Sequence, residues 1–402
     1  MKILHTSDWH LLDKLGPVDR QPDICARLEE IAGNLREHQV DVMLVSGDLF
    51  SVMTRMDEIR RAVSDVSRIF RPFLQGGGTI VGISGNHDSE DLFKLFREAM
   101  NLAAPLDLPI DALKPSGRMY LYEIPSYIRL ADRSGQEVQF ALLPYPTPGR
   151  YLTGDQLNYR TNDEKHSLLR TELLARLNHI RDRHILPGVP SVLVSHIHVR
   201  GQQIHNLFHL TENQDVVFDL ADLPLEWAYI AFGHIHRPQY IQNDYHAQYA
   251  GSIERFDFAE KAEDKHVVLL EIGPEGLLGK PAHLPLRASP MYRVEINDIS
   301  EIDHLVERYP DHEQAIVDYH VTYKPEDTTP QAIRDAVEQI FPRWSRHQVE
   351  IAGADLIGTV GGTSAHPENV PLTVKEYLLD VLAGNADRDE LMTLAEELLA
   401  DL

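Results

Sequence analysis

Val40-Asp41-Val42-Met43-Leu44-Val45-Ser46-Gly47-Asp48 is an apolar run of strand length that ends in a glycine and a carboxylate. Val42 to Val45 leave no face for water, so the run reads as a strand covered on both sides. Four more runs share this design: Thr79–Ile83, Gln139–Leu143, Ser191–Val194 and Ala228–Phe232, each ended by Gly, Ser or Pro. Helical spacing lies between them, at Ile24, Leu28, Ile31 and Leu35 and again at Leu169, Leu173, Leu177 and Ile180. The alternation predicts an α/β domain over residues 1–286. In such sheets ligands gather beyond the carboxyl ends of the strands.

At those ends stand five short motifs: Ser7-Asp8-Trp9-His10, Ser46-Gly47-Asp48, Ser84-Gly85-Asn86-His87-Asp88, Val194-Ser195-His196 and Phe232-Gly233-His234-Ile235-His236. Residues i and i+2 of an extended segment share a side, so Asp8 with His10, and His234 with His236, can each reach one place. A carboxylate has two oxygens, and Asp48 can therefore bridge two cations. Asn86 adds a neutral oxygen, and His196 follows its apolar run directly, although His198 shares its phase. This mixed N/O set suits manganese, iron or zinc better than magnesium or calcium. There is no cysteine nucleophile, nucleophile elbow or P-loop. The inventory points to hydrolysis by metal-activated water. His87 lies outside the ligand set and is the candidate to protonate a leaving oxygen, with Asp88 orienting its ring. His5, His38 and His266 have no motif around them and read as surface or satisfied core residues.

The pattern changes from residue 287. Tyr292, Val294 and Ile296 alternate, Ser300 is placed to cap a helix through Tyr309, and Val317 to Tyr323 alternate again. Thr329-Pro330 opens a helix to Phe341, and Val349 to Ile351 closes a β-α-β-α-β pattern over 287–352. Residues 353–371 read as a linker, and 372–402 as a helical hairpin with Thr373 and Glu376 as a capping box. Those two helices either dock on the body or await a partner helix.

The chain has 402 residues, one cysteine and a net charge of −24. No stretch is apolar enough for a membrane span and no signal peptide opens the chain, so a cytoplasmic protein is expected. The charge alone argues against a nucleic-acid ligand. Residues 287–402, however, carry 9 Lys/Arg against 23 Asp/Glu, a net of −14, which leaves −10 for residues 1–286. Arg55, Arg60, Arg61, Arg68 and Arg71, mixed with acids, read as a solvated helix face.

On these motifs the chain resembles the calcineurin-like metallophosphoesterases and, more narrowly, their SbcD-type nuclease branch. The opening Ile3 to His10, Gly233-His234-Ile235-His236-Arg237-Pro238 and the segment Tyr249 to Phe258 carry the narrower likeness. The resemblance implies a four-layer α/β/β/α sandwich with a small α+β capping domain, and two manganese ions. One ion would take Asp8, His10, Asp48 and His236; the other would take Asp48, Asn86, His196 and His234; His87 matches the catalytic histidine. It further implies 3′-to-5′ exonuclease and single-strand endonuclease action on DNA ends and a homodimer. An SbcC-type coiled-coil ATPase would bind the terminal helices. A phosphoesterase for small molecules and a non-catalytic DNA-end scaffold are the rivals. Two positions depart from the branch: Leu12 replaces a common glycine, and Ser51 stands where some relatives carry a histidine linked to exonuclease action.

Overall fold

The structure is a computed structural model that describes residues 1–51, 56–100, 109, 111–203, 215–224, 226–242, 244–324, 328–352, 359–360 and 363–364. In chain order, the strands that frame the core begin with Lys2–Thr6 (β1), Val42–Val45 (β2), Thr79–Ile83 (β3) and Met119–Tyr122 (β4). Ser126–Ala131 (β5), Glu137–Leu143 (β6), Ser191–His196 (β7), Tyr229–Gly233 (β8), Gln239–Ile241 (β9) and Asp244–Tyr249 (β10) come next. Lys265–Gly273 (β11), Gly276–Leu277 (β12) and Ala282–Leu286 (β13) complete the set. One sheet has the order β12-β11-β1-β2-β3-β4, with β13 also on β11, and the other β9-β10-β8-β7-β6-β5. Strands β1 to β4 are mutually parallel, as are β6, β7, β8 and β10 in the second sheet.

The side chains of each strand alternate between two apolar layers. Ile3, Val42 and Leu44 point into a layer shared with Phe140, Leu142, Val192 and Val194 of the second sheet. Leu4, Met43 and Val45 point the other way, under helices Gln21–Glu37 (α1), Met56–Gln75 (α2) and Glu90–Met100 (α3). On the far side of the second sheet, Leu193, Ile230 and Phe232 pack against helix Asn162–Arg183 (α4). The result is the four-layer α/β/β/α sandwich that the family resemblance implies. Ile24, Leu28, Ile31 and Leu35 are the buried stripe of α1, and Leu169, Leu173, Leu177 and Ile180 that of α4. Each such side chain contributes about 1.5–3 kcal/mol by leaving water.

Contacts divide the chain into two compact units, Met1–Val294 with Leu305–Tyr319 and Glu338–His347, and Glu295–His304 with His320–Val337 and Gln348–Leu402. The alternation after residue 287 forms strands Met291–Ile296, Ile316–Tyr323 and Trp344–Ile351, in a sheet of that order. Thr329 starts helix Pro330–Ile340 and its Oγ accepts the Ala332 amide at 3.3 Å. Ser300 does not cap the preceding turn. Asp298 does, its Oδ1 accepting the Ser300 amide at 2.9 Å. The segment opens as a 3₁₀ turn, Ile299–His304, before a short α-helix at Leu305–Arg308. Asp298 stands two positions before Ser300, just ahead of the turn, where a cap side chain reaches the free amides. The hairpin expected over 372–402, most of 353–371 and Arg55 lie outside the described residues. Arg61 and Arg68 sit on the exposed face of α2, paired with Asp19 and Glu29. Among the described residues, no helix is long and apolar enough to cross a membrane.

His5 is fully buried between the sheets, its Nδ1 3.0 Å from the Tyr229 hydroxyl and its Nε2 without a hydrogen-bond partner. Burial lowers its pKa from 6.5 to about 3. Below pH 6.5 the unfolded chain therefore takes a proton that the folded chain refuses. This part of the stability is complete above 6.5 and is lost as pH falls toward 3, at roughly 1.4 kcal/mol per pH unit. His5→Gln should flatten the pH dependence of denaturant-induced unfolding between pH 6 and 4 by one proton. An unchanged slope would assign the titration elsewhere.

Candidate metal centre

Every motif loop leaves the carboxyl end of a parallel strand: Asp8 and His10 after β1, Asp48 after β2, Asn86 and His87 after β3, His196 at the end of β7, and His234 and His236 after β8. The two sheets bring these ends to one edge. The loops are shaped by backbone found mostly here: of seven non-glycine residues with positive φ among those described, five are Asp8, His10, Leu12, Asp48 and His234. Such conformations cost about 1–3 kcal/mol each for residues with a Cβ and persist where surrounding contacts enforce them. Leu12 keeps the left-handed turn that a glycine would adopt freely, at φ +69°, with its side chain buried and its amide bonded to Gln21 Oε1 at 2.9 Å. Ser51 donates to Asp13 Oδ1 at 2.9 Å.

Close approach requires glycine at two points. A Cβ on Gly47, whose φ is +100°, would stand 2.1 Å from His196 Nδ1. One on Gly85 would stand 2.0 Å from Asp48 Oδ1. Asp88 fastens the same loops. Expected to orient the His87 ring, it instead accepts the backbone amides of Gly85, Leu49 and Phe50 at 2.8, 3.2 and 2.9 Å. Burial and then the charge of Asp48 raise its pKa to about 7.

The donor atoms fall into two groups on either side of Asp48. In the first, His10 Nε2 lies 3.0 Å from His236 Nε2 and 3.8 Å from Asp48 Oδ2, and His236 Nε2 lies 4.0 Å from Asp8 Oδ1. In the second, Asn86 Oδ1 lies 3.1 Å from His196 Nε2 and 2.9 Å from His234 Nδ1, with Asp48 Oδ2 3.3 Å from His196 Nε2. The far nitrogens are engaged elsewhere. His196 Nδ1 is 2.6 Å from the Ser46 carbonyl, His234 Nε2 is 2.7 Å from Asp215 Oδ2, and His236 Nδ1 is 2.8 Å from Glu260 Oε1. Each of those acceptors calls for the imidazole proton, which leaves lone pairs facing the centre. In the second group Asn86 Oδ1, His196 Nε2 and His234 Nδ1 converge beside Asp48 Oδ2. That mixed N/O donor set fits a divalent cation of the manganese, iron or zinc class.

Electrostatics agree. Burial would raise the pKa of Asp48, but His196 and His10 outweigh it and hold the carboxylate well below its usual range. Burial would lower His196, yet Asp48 raises it to about 9. Burial dominates at His10 and His87, whose pKa values fall below the ordinary histidine value. The His87 amide donates to Asp48 Oδ1 at 2.9 Å, and its half-buried ring stands edge-on to His10 with centroids 5.0 Å apart.

All seven residues read as metal ligands thus gather at one edge with His87 beside them. His198, in phase with His196, points instead to Asp215, 3.1 Å from its Nδ1. Sequence reasoning missed Asp215, Glu260 and the buried Lys265 whose Nζ is 2.7 Å from Glu260 Oε2. No motif surrounds Asp215. For Glu260 the one available signal was its place just after the distinctive Tyr249 to Phe258 segment.

Residues 1–238 match the family model of calcineurin-like phosphoesterases, and the chain belongs to that family. It is similar to the SbcD component of the SbcCD nuclease of Bacillus subtilis (strain 168), 28% identical over 290 residues, which cover 68% of this chain and 67% of that one. The SbcD component from Rhodobacter capsulatus is 28% identical over 314 residues, 73% and 71% of the two chains. That of Escherichia coli (strain K12) is 26% identical over 318 residues, 77% and 74%.

The space at Gly85 yields a test. Gly85→Ala forces Asp48 to move and should weaken divalent-cation binding, followed by calorimetric titration, by about 10-fold or more. Gly33→Ala, where a Cβ meets nothing within 4 Å on α1, is the control and should raise stability by about 0.5–1 kcal/mol. Equal ion affinity in both variants would mean that Asp48 tolerates displacement.

Proposed function

We propose that this calcineurin-like phosphoesterase is a manganese-dependent DNA nuclease that hydrolyses phosphodiester bonds across two cations. The observation that carries this reading is the convergence of Asn86 Oδ1, His196 Nε2 and His234 Nδ1 beside Asp48, with His10 and His236 paired on its other side. Asp8, His10, Asp48 and His236 would hold one ion, and Asp48, Asn86, His196 and His234 the other, with Asp48 common to both. When bound, such a pair lowers the pKa of a water and clamps the phosphoryl oxygens during in-line displacement. Asp48 would serve both positions, since its Oδ2 faces His10 on one side and His196 on the other. Asn86 supplies an uncharged oxygen, which limits the negative charge that an incoming phosphate must face. His87 would carry the proton for the leaving oxygen.

The similarity to the SbcD components of SbcCD nucleases supports DNA as the substrate and an SbcC-type coiled-coil ATPase as the partner. In this reading the protein is cytoplasmic and processes DNA double-strand breaks as a homodimer, combining 3′-to-5′ exonuclease with single-strand endonuclease action. Residues 1–286 are the nuclease domain, 287–352 a capping domain and 353–371 a linker. In the same reading residues 372–402 would bind the ATPase.

End-labelled duplex DNA should be shortened in manganese and remain intact in chelator, whereas a chromogenic phosphodiester should be a poor substrate; the reverse preference would point to a small-molecule phosphoesterase. Asp48→Ala should lose both ions and all activity. His87→Ala should keep two ions, counted by elemental analysis, yet lose about 10²–10⁴-fold in turnover. Removal of residues 366–402 should leave manganese-dependent cleavage in place and end co-purification with the ATPase.

A further inference from the structure

His234 and His236 come from one motif, yet their outward nitrogens are held by two carboxylates from unrelated parts of the chain. Asp215 is 1% exposed, and all its acceptor directions are used. Its Oδ2 meets His234 Nε2 at 2.7 Å and His198 Nδ1 at 3.1 Å; its Oδ1 accepts the Tyr145 hydroxyl and the Val216 amide, each at 2.8 Å. Glu260 is equally buried. Its Oε1 meets His236 Nδ1 at 2.8 Å, and its Oε2 is held by the Lys265 ammonium at 2.7 Å. Lys265 is itself 1% exposed and is pinned by Glu263 Oε2 at 2.8 Å, Ser252 Oγ at 2.9 Å and the His236 carbonyl at 3.1 Å. Neither carboxylate belongs to the seven donors, and the two networks share no atom.

We propose that Asp215 and Glu260 are positioning residues that load the two ion positions separately, Asp215 through His234 and Glu260 through His236. The inference rests on the two-ion reading of the site. A buried imidazole has two neutral forms, and only one presents a lone pair to the centre. A carboxylate on the outer nitrogen selects that form, fixes the ring and raises the basicity of the inner nitrogen. For His234 the outer atom is Nε2 and the ligand atom Nδ1; for His236 the two are exchanged. The two rings therefore need opposite tautomers, and that requirement explains two separate acceptors rather than one. His198 and Tyr145 hold Asp215 in place, as Lys265 holds Glu260.

The test uses the full-length protein, Glu260→Gln and Asp215→Asn, both isosteric, with zinc as the probe ion in calorimetric titration and elemental analysis. Wild type should bind two ions. Each variant should keep one at parental affinity and bind the other about 10- to 100-fold more weakly. Loss of both ions together in either variant, or parental affinity at both positions, would overturn the proposal. Failure of wild type to bind two ions would instead overturn the reading of the site. Should a variant not fold, nitrogen-15 spectra of histidine-labelled, zinc-loaded wild type still decide the matter. His234 should carry its proton on Nε2 and His236 on Nδ1, and any other assignment sinks the idea.

Discussion

Ser46 links the two sheets at the edge where the site is built. Its carbonyl accepts from Ser7 Oγ at 3.1 Å and lies 2.6 Å from His196 Nδ1, while its own hydroxyl donates to the Ala231 carbonyl at 3.2 Å. One residue after β2 thus touches the end of β1 in its own sheet, and the end of β7 and the middle of β8 in the other. This clasp depends on the layer of Ile3, Leu44, Val81, Phe140, Leu142 and Val194 that presses the sheets together. With the sheets held so, His10 and His236 meet at 3.0 Å although 226 positions separate them in the chain. The long-range pairing is a property of the sandwich rather than of any local motif.

The same closeness explains where the chain tolerates strain. Four of the seven donors, Asp8, His10, Asp48 and His234, adopt positive φ, at +50°, +46°, +50° and +95°. An ordinary extended exit from the strand would carry these side chains past the centre. The strain persists because other groups enforce it: the Asp8 amide bonds to the Gly47 carbonyl at 3.0 Å, and those of Trp9 and His10 share the Asp48 carbonyl at 2.8 and 3.1 Å. Gly47 and Gly85 leave the gaps into which His196 and Asp48 fit. Stability is given up locally, and the apolar layers on both faces of each sheet offset it.

Much of this was legible in the sequence, for a physical reason. Strands buried on both faces leave continuous apolar runs, helices on the outside leave a 3.6-residue stripe, and metal ligands need particular residue types at strand ends. Val42 to Val45, the stripe of α1 and the Gly-His-Ile-His segment each bear one such mark. What escaped was set by geometry between distant segments. Asp215 and Glu260 are single acids with no periodic or motif context, and their value lies in a direction that only the fold supplies. Asp88 has motif context, yet three amides converge on it, and their demand decides its task. The choice between Asp298 and Ser300 turned on which oxygen reaches a free amide first, and spacing alone does not encode that. Leu12 is the converse case, since a non-glycine residue holds the left-handed turn through burial and its Gln21 bond.

Charge is the remaining difficulty for a polyanion substrate, and the site contains its resolution. Asp8, Asp48, Asp215 and Glu260 are buried carboxylates with one buried lysine among them, in a chain of net −24. In the ion-free protein histidines balance part of that charge: Asp48 raises His196 to about 9 and Glu260 raises His236, in each case against burial. Divalent cations would take the nitrogens those protons occupy, so loading would release protons and strengthen as pH rises. Once loaded, the edge would present cations where it had presented carboxylates, and the ions' own charge would dominate the local field. An overall acidic chain is then no obstacle at the point of chemistry. In the proposed reading, affinity for a long polyanion would come from the ions and from the partner, since a chain of net −24 opposes it.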